Sequence, residues 1–552
     1  MRDKLDNKNA MGVVCHEVVW EQAPSNHTKG AADLKPVIIF DNDMNLYNEW
    51  IERSKLGAGS APDIILVKSG KAYKEAGNGI YEMDMRCRDH YSQLFKSLGE
   101  QNRIYGNIIH MWSRGNMNLD LNDSMEEAFN QSIYSLTFIS QELMKQKIKG
   151  DVTLLYLYDR LREGGSHPCN EAAGGFVRTL RLENPKFHYK TVGIISPEGR
   201  QATDTGEILN AALNELDGSA DEAEVCYHGG IRYVKALKEL ALGEENHSEV
   251  ALKEHGVYLI TGGAGGLGLV FAKYMAEEYK ARVILAGRSK LGQEKEKLIR
   301  RLNKNQAEIV YIKSDISNYE ETVKLVETIK DRFGEINGVI HAAGVIRDGY
   351  VLKKDPDDIH QVMAPKIYGA VNLDMALREE KLDFFVMFSS TAAVLGNPGQ
   401  SDYAFANGFM DSYAALRERK CVKGARSGKT ISINWPLWAE GGMQVSEAER
   451  AALYERYGIQ PMPAENGIDL FKSSIRSDNL QLIVSYGLQV TLRELFLQVF
   501  SSKNPEYTGM EHVLENCDLL EETENYLKQV FEDILRIPSS KIDLDTNFQD
   551  YG

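Results

Sequence analysis

A five-residue run, Val257-Tyr258-Leu259-Ile260-Thr261, leads straight into Gly262-Gly263-Ala264-Gly265-Gly266-Leu267-Gly268, and this junction constrains the fold of the chain more than any other segment. Gly263, Gly265 and Gly268 fall in GxGxxG spacing between a strand and the helical run Leu269–Tyr279. Such glycines let backbone N–H groups approach a pyrophosphate at a helix N-terminus, although a glycine-rich turn also serves packing alone. The surrounding order favours the first reading. Val257–Thr261, Arg282–Ala286, Glu308–Ile312, Gly338–Ala342, Asp383–Ser389, Thr430–Trp435 and Leu480–Val484 are seven strand candidates separated by helical segments, the content of a complete doubly wound parallel sheet.

The first half carries a shorter version of the same alternation. Pro36–Phe40, Asp63–Val67, Ile104–Met111, Val152–Tyr158 and Tyr189–Ile195 read as strands, and Met125–Lys147 as a helix. None of its turns holds a GxGxxG, so this half is expected to be a scaffold. The fold class is therefore α/β, with two tandem Rossmann-like subdomains, a truncated structural half and a complete catalytic half, and a short C-terminal helical fragment. The expected boundaries are a linker over 1–11, the structural subdomain over 12–245, the catalytic subdomain over 246–490, a second linker over 491–518 and a separate segment over 519–552.

Composition excludes several classes. At 552 residues, 43% hydrophobic and 26% charged, the chain suits a multidomain globular protein, and no apolar run is long enough to span a bilayer. A formal charge of −16 opposes general attraction to nucleic acid or anionic lipid. Cys15, Cys87, Cys169, Cys226, Cys421 and Cys517 form no CxxC pair, so neither a disulfide framework nor a metal site is expected. The polar N-terminus lacks the apolar stretch of a secretory signal, which points to the cytoplasm.

Cofactor choice is read at the end of the second catalytic strand. An acidic residue there would hold a ribose 2′-hydroxyl, whereas Arg288 and Ser289 suit a 2′-phosphate, hence NADPH. Asp315, followed by Ile316 after the third strand, is placed to accept from an adenine amino group, and is equally a helix cap. For chemistry, Ser390 closes one strand and Tyr403 follows on a helix. A carbonyl that accepts hydride needs a proton donor and a second donor to orient it, roles assigned to Tyr403 and Ser390. Tyrosine has an ordinary pKa of about 10, so a neighbouring cation is needed to depress it, and Lys366 is the candidate.

The usual short-chain dehydrogenase pattern places lysine four residues after tyrosine, but that position is Asn407. This departure resembles the ketoreductase domains of modular polyketide synthases and the related domain of animal fatty acid synthase, in which lysine and asparagine exchange places between adjacent helices. Val362–Ala370, containing Lys366, matches the lysine motif of that family. Thr261–Gly268, His341-Ala342-Ala343-Gly344, Phe388–Ser390, Tyr403–Asn407 and Asn434–Met443 resemble its other landmarks in order, and Gly175–Pro185 resembles the signature of its noncatalytic subdomain.

The resemblance implies NADPH-dependent reduction of a β-ketoacyl thioester on an acyl carrier protein within polyketide biosynthesis. Tyr403, Ser390, Lys366 and Asn407 would be catalytic, with Asn407 holding a relay water or Lys366. Thr261, Gly263, Gly265, Gly266, Leu267, Gly268, Arg288, Ser289, Asp315, Ile316, Ala342, Ala343 and Gly344 would hold the cofactor. Asp348 implies B-type reduction to the D-hydroxy product, supported by Pro398 and by Leu395 where A-type members carry tryptophan, although Arg347 departs from the family's Leu-Asp-Asp. A lid is expected near 439–463, with Trp438 and Met443 against the nicotinamide or acyl arm. Leu519–Gly552 resembles the start of an acyl carrier protein, ending before the phosphopantetheine serine, and neighbouring synthase domains are the implied partners. The rival readings are an epimerase and a noncatalytic spacer of the same fold.

Overall fold

The computed structural model describes residues 10–500 apart from 25–35, 56–62, 105, 115–124, 147, 149, 161–165, 196–203, 218–221, 241–249, 304–306, 443 and 444. Residues 501–552, including the carrier-protein-like segment, and the candidate Met443 lie outside the described residues.

Among the described residues, seventeen strands form one sheet. The structural half contributes β1 (Met11–Gln22), β2 (Val37–Phe40), β3 (Ile64–Ser69), β4 (Lys74–Gly77), β5 (Ile80–Met83), β6 (Asn107–His110), β7 (Val152–Arg160), β8 (Phe187–Ile195), β9 (Glu224–His228) and β10 (Ile231–Leu240). The catalytic half contributes β11 (Val257–Thr261), β12 (Arg282–Gly287), β13 (Glu308–Lys313), β14 (Gly338–His341), β15 (Phe384–Ser390), β16 (Lys429–Trp435) and β17 (Gln481–Leu488). Pairing in the catalytic half runs β13-β12-β11-β14-β15-β16-β17, all parallel, the doubly wound order anticipated above.

The structural half runs β4-β5-β3-β2-β6-β7-β8-β9, parallel except for β4. Omitting β4, its strands follow the same spatial order as the catalytic half. It is truncated in one place: the connection from β3 to β5 is a short hairpin through β4 instead of a crossover helix. The halves join through an antiparallel seam, β9-β10-β1-β17. The seam makes one compact unit up to Phe500, so the division at 245 and 246 does not separate two bodies.

Strands buried on both faces explain why the catalytic strands read as continuous apolar runs. Every residue of β11 and β14 is buried. The expected helix over 125–147 is present from Met125 to Lys145, with a π-helical turn at Asn130–Tyr134. Residues 491–500, expected as linker, instead belong to the helix Gln489–Phe500, whose Leu492 and Phe496 are buried. Burying two large apolar side chains is what turns that stretch from linker into part of the domain.

Helices Pro168–Glu183 and Ser401–Val422, one from each half, pack through glycines. A Cβ at Gly175 would lie 2.9 Å from the Ala404 carbonyl oxygen, and one at Gly408 would lie 3.3 Å from Ala172 Cα. The two backbones approach closely because neither residue has a side chain. No described helix is long and apolar enough to cross a membrane.

Candidate active site

The carboxyl ends of β11, β14 and β15 open onto one cleft. Its floor is the glycine loop: Gly262, Gly265, Gly266, Leu267 and Gly268 line it, with Ala342 and Gly344 from the loop after β14. Ser390, Tyr403 and Lys366 line the same cleft, as do Trp438 and Gly441. Three distant stretches of sequence thus meet where a doubly wound sheet places its ligands.

The loop is shaped for close approach. Gly262 has φ +64°, and a Cβ there would lie 2.7 Å from both the Ala342 carbonyl oxygen and Ala343 Cα. Gly268 packs on Gly263, where a Cβ would meet Gly263 Cα at 2.5 Å. The helix Gly266–Tyr279 that follows begins at Gly265 with no side-chain cap, so its first N–H groups keep their hydrogen-bonding capacity. Uncapped donors above a bare backbone fit the diphosphate of a dinucleotide. Gly262 was not singled out by the GxGxxG spacing, yet it is the loop position whose conformation most requires glycine.

Other cofactor candidates sort by environment. Arg288 and Ser289 are exposed just beyond β12, and the Ser289 carbonyl accepts from Tyr311 Oη at 2.5 Å. Asp315 caps its own turn, accepting from the Ser317 N–H at 3.0 Å, and Ile316 is buried, its carbonyl accepting from Asn372. Thr261 and Gly263 do not line the cleft. Thr261 is fully buried and its hydroxyl bonds His341 Nδ1 at 2.8 Å, while Gly263 packs toward Leu285. Ala343 is likewise buried behind the lining.

Lys366 comes from the helix Pro356–Ala376 and is 4% exposed. Its Nζ donates to the Phe388 carbonyl at 3.1 Å and stands 5.3 Å from the Tyr403 ring centroid. Burial pushes its pKa down to about 7, opposed by the charge of Asp411. His341 steadies this helix by a 3.2 Å contact from Nε2 to the Lys366 carbonyl. Burial holds the His341 ring neutral, with its pKa pushed down to about 3.

Tyr403 lies on the helix Ser401–Val422, beside Ser390. Burial pushes its pKa up, while hydrogen bonds with Ser390 and Asn407 pull the other way. Where a depression by Lys366 was expected, the largest influence on Tyr403 is removal of the phenolate from water, and Lys366 is not among the groups that act on it. Asn407 donates from Nδ2 to the Tyr403 carbonyl at 2.7 Å, and its buried Oδ1 has no partner. It does not bond Lys366; the orphan acceptor suits a water.

The sequence reading missed the support behind Ser390. Asn434 Nδ2 donates to Ser389 Oγ at 3.0 Å, to the Ser390 carbonyl at 3.0 Å and to Asp411 Oδ2 at 2.8 Å. Ser432 Oγ donates to Asp411 Oδ1 at 2.6 Å. Asn434 stood in a quoted motif, but only the fold shows what it holds.

The stereocontrol candidates are more dispersed. Asp348 is exposed and accepts from Gln400 Nε2 at 3.0 Å, and Pro398 is exposed. Leu395 packs with Ala393, Val394, Ile483 and Phe496 at the seam, so it does not line the cleft as expected. Its short helix turns that side chain toward the apolar cluster. Trp438 lines the cleft, 3% exposed, and its backbone pairs with Met462. In the expected lid, the helix Glu447–Tyr457 buries none of its residues and is held by a capping box between Ser446 and Glu449.

A parallel sheet with a glycine cradle, facing serine, tyrosine and lysine across one cleft, defines an oxidoreductase of the short-chain dehydrogenase type with a nicotinamide-dinucleotide site. Comparison with known proteins refines this: the KR domain family matches residues 256–440, and a family described as beta-ketoacyl synthase-like, N-terminal, matches residues 35–215. Polyketide synthase PksN of Bacillus subtilis (strain 168) is 38% identical over 385 residues, covering 68% of this chain and 7% of its own length. Polyketide synthase PksM of the same organism is 30% identical over 564 residues, covering 98% of this chain and 12% of its own. A solved structure described as an N-terminal ketoreductase from the macrolactin assembly line is 33% identical with a TM-score of 0.77, covering 90% of this chain and 96% of that one. The chain belongs to the ketoreductase domain family of polyketide synthases, and it spans 7% to 12% of the length of the PksN, PksL and PksM synthases.

Proposed function

We propose that this protein reduces a β-ketoacyl thioester, presented on an acyl carrier protein of a polyketide synthase, to the hydroxyacyl thioester with NADPH. The observation that carries the reading is the single cleft in which the glycine cradle faces Ser390, Tyr403 and Lys366. The glycine loop, Ala342 and Gly344 would hold the nicotinamide dinucleotide, which would supply the hydride for the keto carbon. As negative charge grows on the keto oxygen, Ser390 Oγ orients that oxygen and the Tyr403 phenol gives it a proton. Burial keeps Tyr403 protonated through the neutral range, the form a donor needs. Lys366 spends one N–H on the Phe388 carbonyl, which fixes its ammonium in the cleft and leaves its other donors for ribose hydroxyls.

Arg288 and Ser289, exposed beyond β12, support a 2′-phosphate and hence NADPH over NADH. Asp348, tied to Gln400 three residues before Tyr403, supports B-type reduction to the D-hydroxy product. The test is NADPH oxidation with a short β-ketoacyl thioester, first free and then loaded on a carrier protein, with chiral analysis of the product. Turnover with NADPH favoured over NADH and a D-hydroxy product is the expected result. Proton exchange at the α-carbon without net reduction would replace the reductase reading with the epimerase, and no dinucleotide binding would leave a spacer.

A further inference from the structure

The half that holds no catalytic group is hydrogen-bonded to segments that adjoin the cleft residues Ile346 and Tyr403. Glu183 is the last residue of the helix Pro168–Glu183, in the segment that the sequence marks as a structural signature. A carboxylate at a helix C-terminus meets an unfavourable dipole, and burial further pushes the Glu183 pKa up. What offsets both is a pair of backbone donors from the other half: the Val351 N–H to Oε2 and the Gly399 N–H to Oε1, each at 2.8 Å.

Val351 and Gly399 belong to the two segments that flank the tyrosine. They also bond each other, since the Gly349 N–H donates to the Gly399 carbonyl at 2.9 Å and Gln400 Nε2 donates to Asp348. Gln141, 1% exposed in the helix Ser135–Lys145, adds a second hold: its Nε2 donates to the carbonyls of Val351 and Lys354 at 2.9 and 2.8 Å. Lys354 in turn grips Asp402 at 2.7 Å, and Asp402 Oδ1 accepts from the Tyr403 N–H at 2.9 Å. The path from Gln141 to the backbone of Tyr403 is thus continuous through buried polar groups.

We infer that Glu183 and Gln141 are positioning residues that clamp segments 345–354 and 396–400 around Tyr403 and so set which face of the ketone meets the reducing groups. The inference rests on the reductase reading for its stereochemical consequence, and on the hydrogen bonds alone for the clamp. Glu183→Gln keeps the shape but offers one acceptor where two donors wait, so one of the Val351 and Gly399 amides loses its partner. Gln141→Met keeps volume and removes both donors.

The test has two arms. Hydrogen exchange followed by mass spectrometry should show faster exchange over 345–354 and 396–400 in Glu183→Gln and over 345–354 in Gln141→Met. In the activity arm, KM for the thioester should rise by about tenfold in Glu183→Gln, the equivalent of one charge-assisted hydrogen bond, and the product should become a mixture of hydroxy epimers. The turnover number on a small cyclic ketone should fall far less, because that substrate does not depend on those segments. A folded Glu183→Gln protein with unchanged exchange, KM and epimer ratio would overturn the inference; if that variant does not fold, Gln141→Met decides on the same readouts. If the wild type reduces no thioester, the reductase reading fails alone, and the exchange arm still decides the clamp.

Discussion

The two halves are built on one strand order and differ at the positions where chemistry requires a particular residue. β2 pairs with β6 so that Phe40 faces His110, and β11 pairs with β14 so that Thr261 faces His341. Each of those histidines is the last residue of its strand, fully buried, with burial pushing its pKa down to about 3. One residue beyond the matched positions, the catalytic half has Gly262 at φ +64° and the structural half has Asp41. Asp41 is 5% exposed, and its carboxyl accepts from the Asn42 N–H at 2.8 Å. A carboxyl occupies that turn, 3.9 Å from Arg114 Nη1, so the position that is bare backbone in the catalytic half is closed here.

The helix pair repeats the contrast. Counting five residues back from the contact glycines Gly175 and Gly408 gives Asn170 in one half and Tyr403 in the other. Asn170 Oδ1 accepts from Tyr156 Oη at 2.7 Å, a bond between buried residues. The comparison teaches that a strand order is cheap to duplicate, whereas an open site depends on a few bare or unpaired positions.

The sharpest way to test this contrast is to exchange effects across it. Tyr403→Phe should lower ketone reduction by roughly 10²- to 10⁴-fold, the range for a lost general acid. Asn170→Ala, measured in the same assay, should leave the rate near wild type and cost about 1 kcal/mol of stability through the lost Tyr156 bond. Equal rate losses in the two variants would break the division into catalytic and structural halves.

The histidines should behave alike. Each is held neutral when folded and takes up a proton near pH 6.5 when unfolded, so its contribution is complete above that value and declines as pH falls from 6.5 toward 3. At pH 5 each should have withdrawn about 2 kcal/mol of stability. Denaturant titrations across that window should show His110→Gln and His341→Gln each flattening part of the acid slope, and a slope unchanged in both would refute the buried neutral rings. Smaller still, Gly262→Val should weaken dinucleotide binding by roughly tenfold through strain at positive φ and the clash with Ala342. Asp41→Gly should leave the stoichiometry at one nucleotide per chain in a fluorescence titration, because one glycine does not restore a cradle; a second bound nucleotide would show the closed site to be only masked.

The catalytic strands were legible because both of their faces are buried and their residues are almost uninterruptedly apolar. β1, β4, β5, β9 and β10 escaped the reading. β10 alternates, with burial on every second residue of Arg232–Ala236, but such a pattern names neither a partner nor a half, and Met11 pairs with Leu488 across nearly the whole chain. In the site, residue types at motif positions located the cleft, since Ser390, Tyr403, Lys366 and most of the glycine loop do converge. The direction of individual side chains was not legible. Thr261 turned inward to His341 and Leu395 turned to the seam, choices made by neighbours distant in sequence.

The pairing of β1 with β17 joins the two ends of the sheet across nearly the whole sequence. Met11 lies opposite Leu488, and the Gln489 N–H donates to the Ala10 carbonyl at 3.1 Å, so the chain enters and leaves this sheet at neighbouring points. The first and last strands of the sheet are thus neighbours, and the unit that runs to Phe500 is closed at that pair, with the helix Gln489–Phe500 continuing from it.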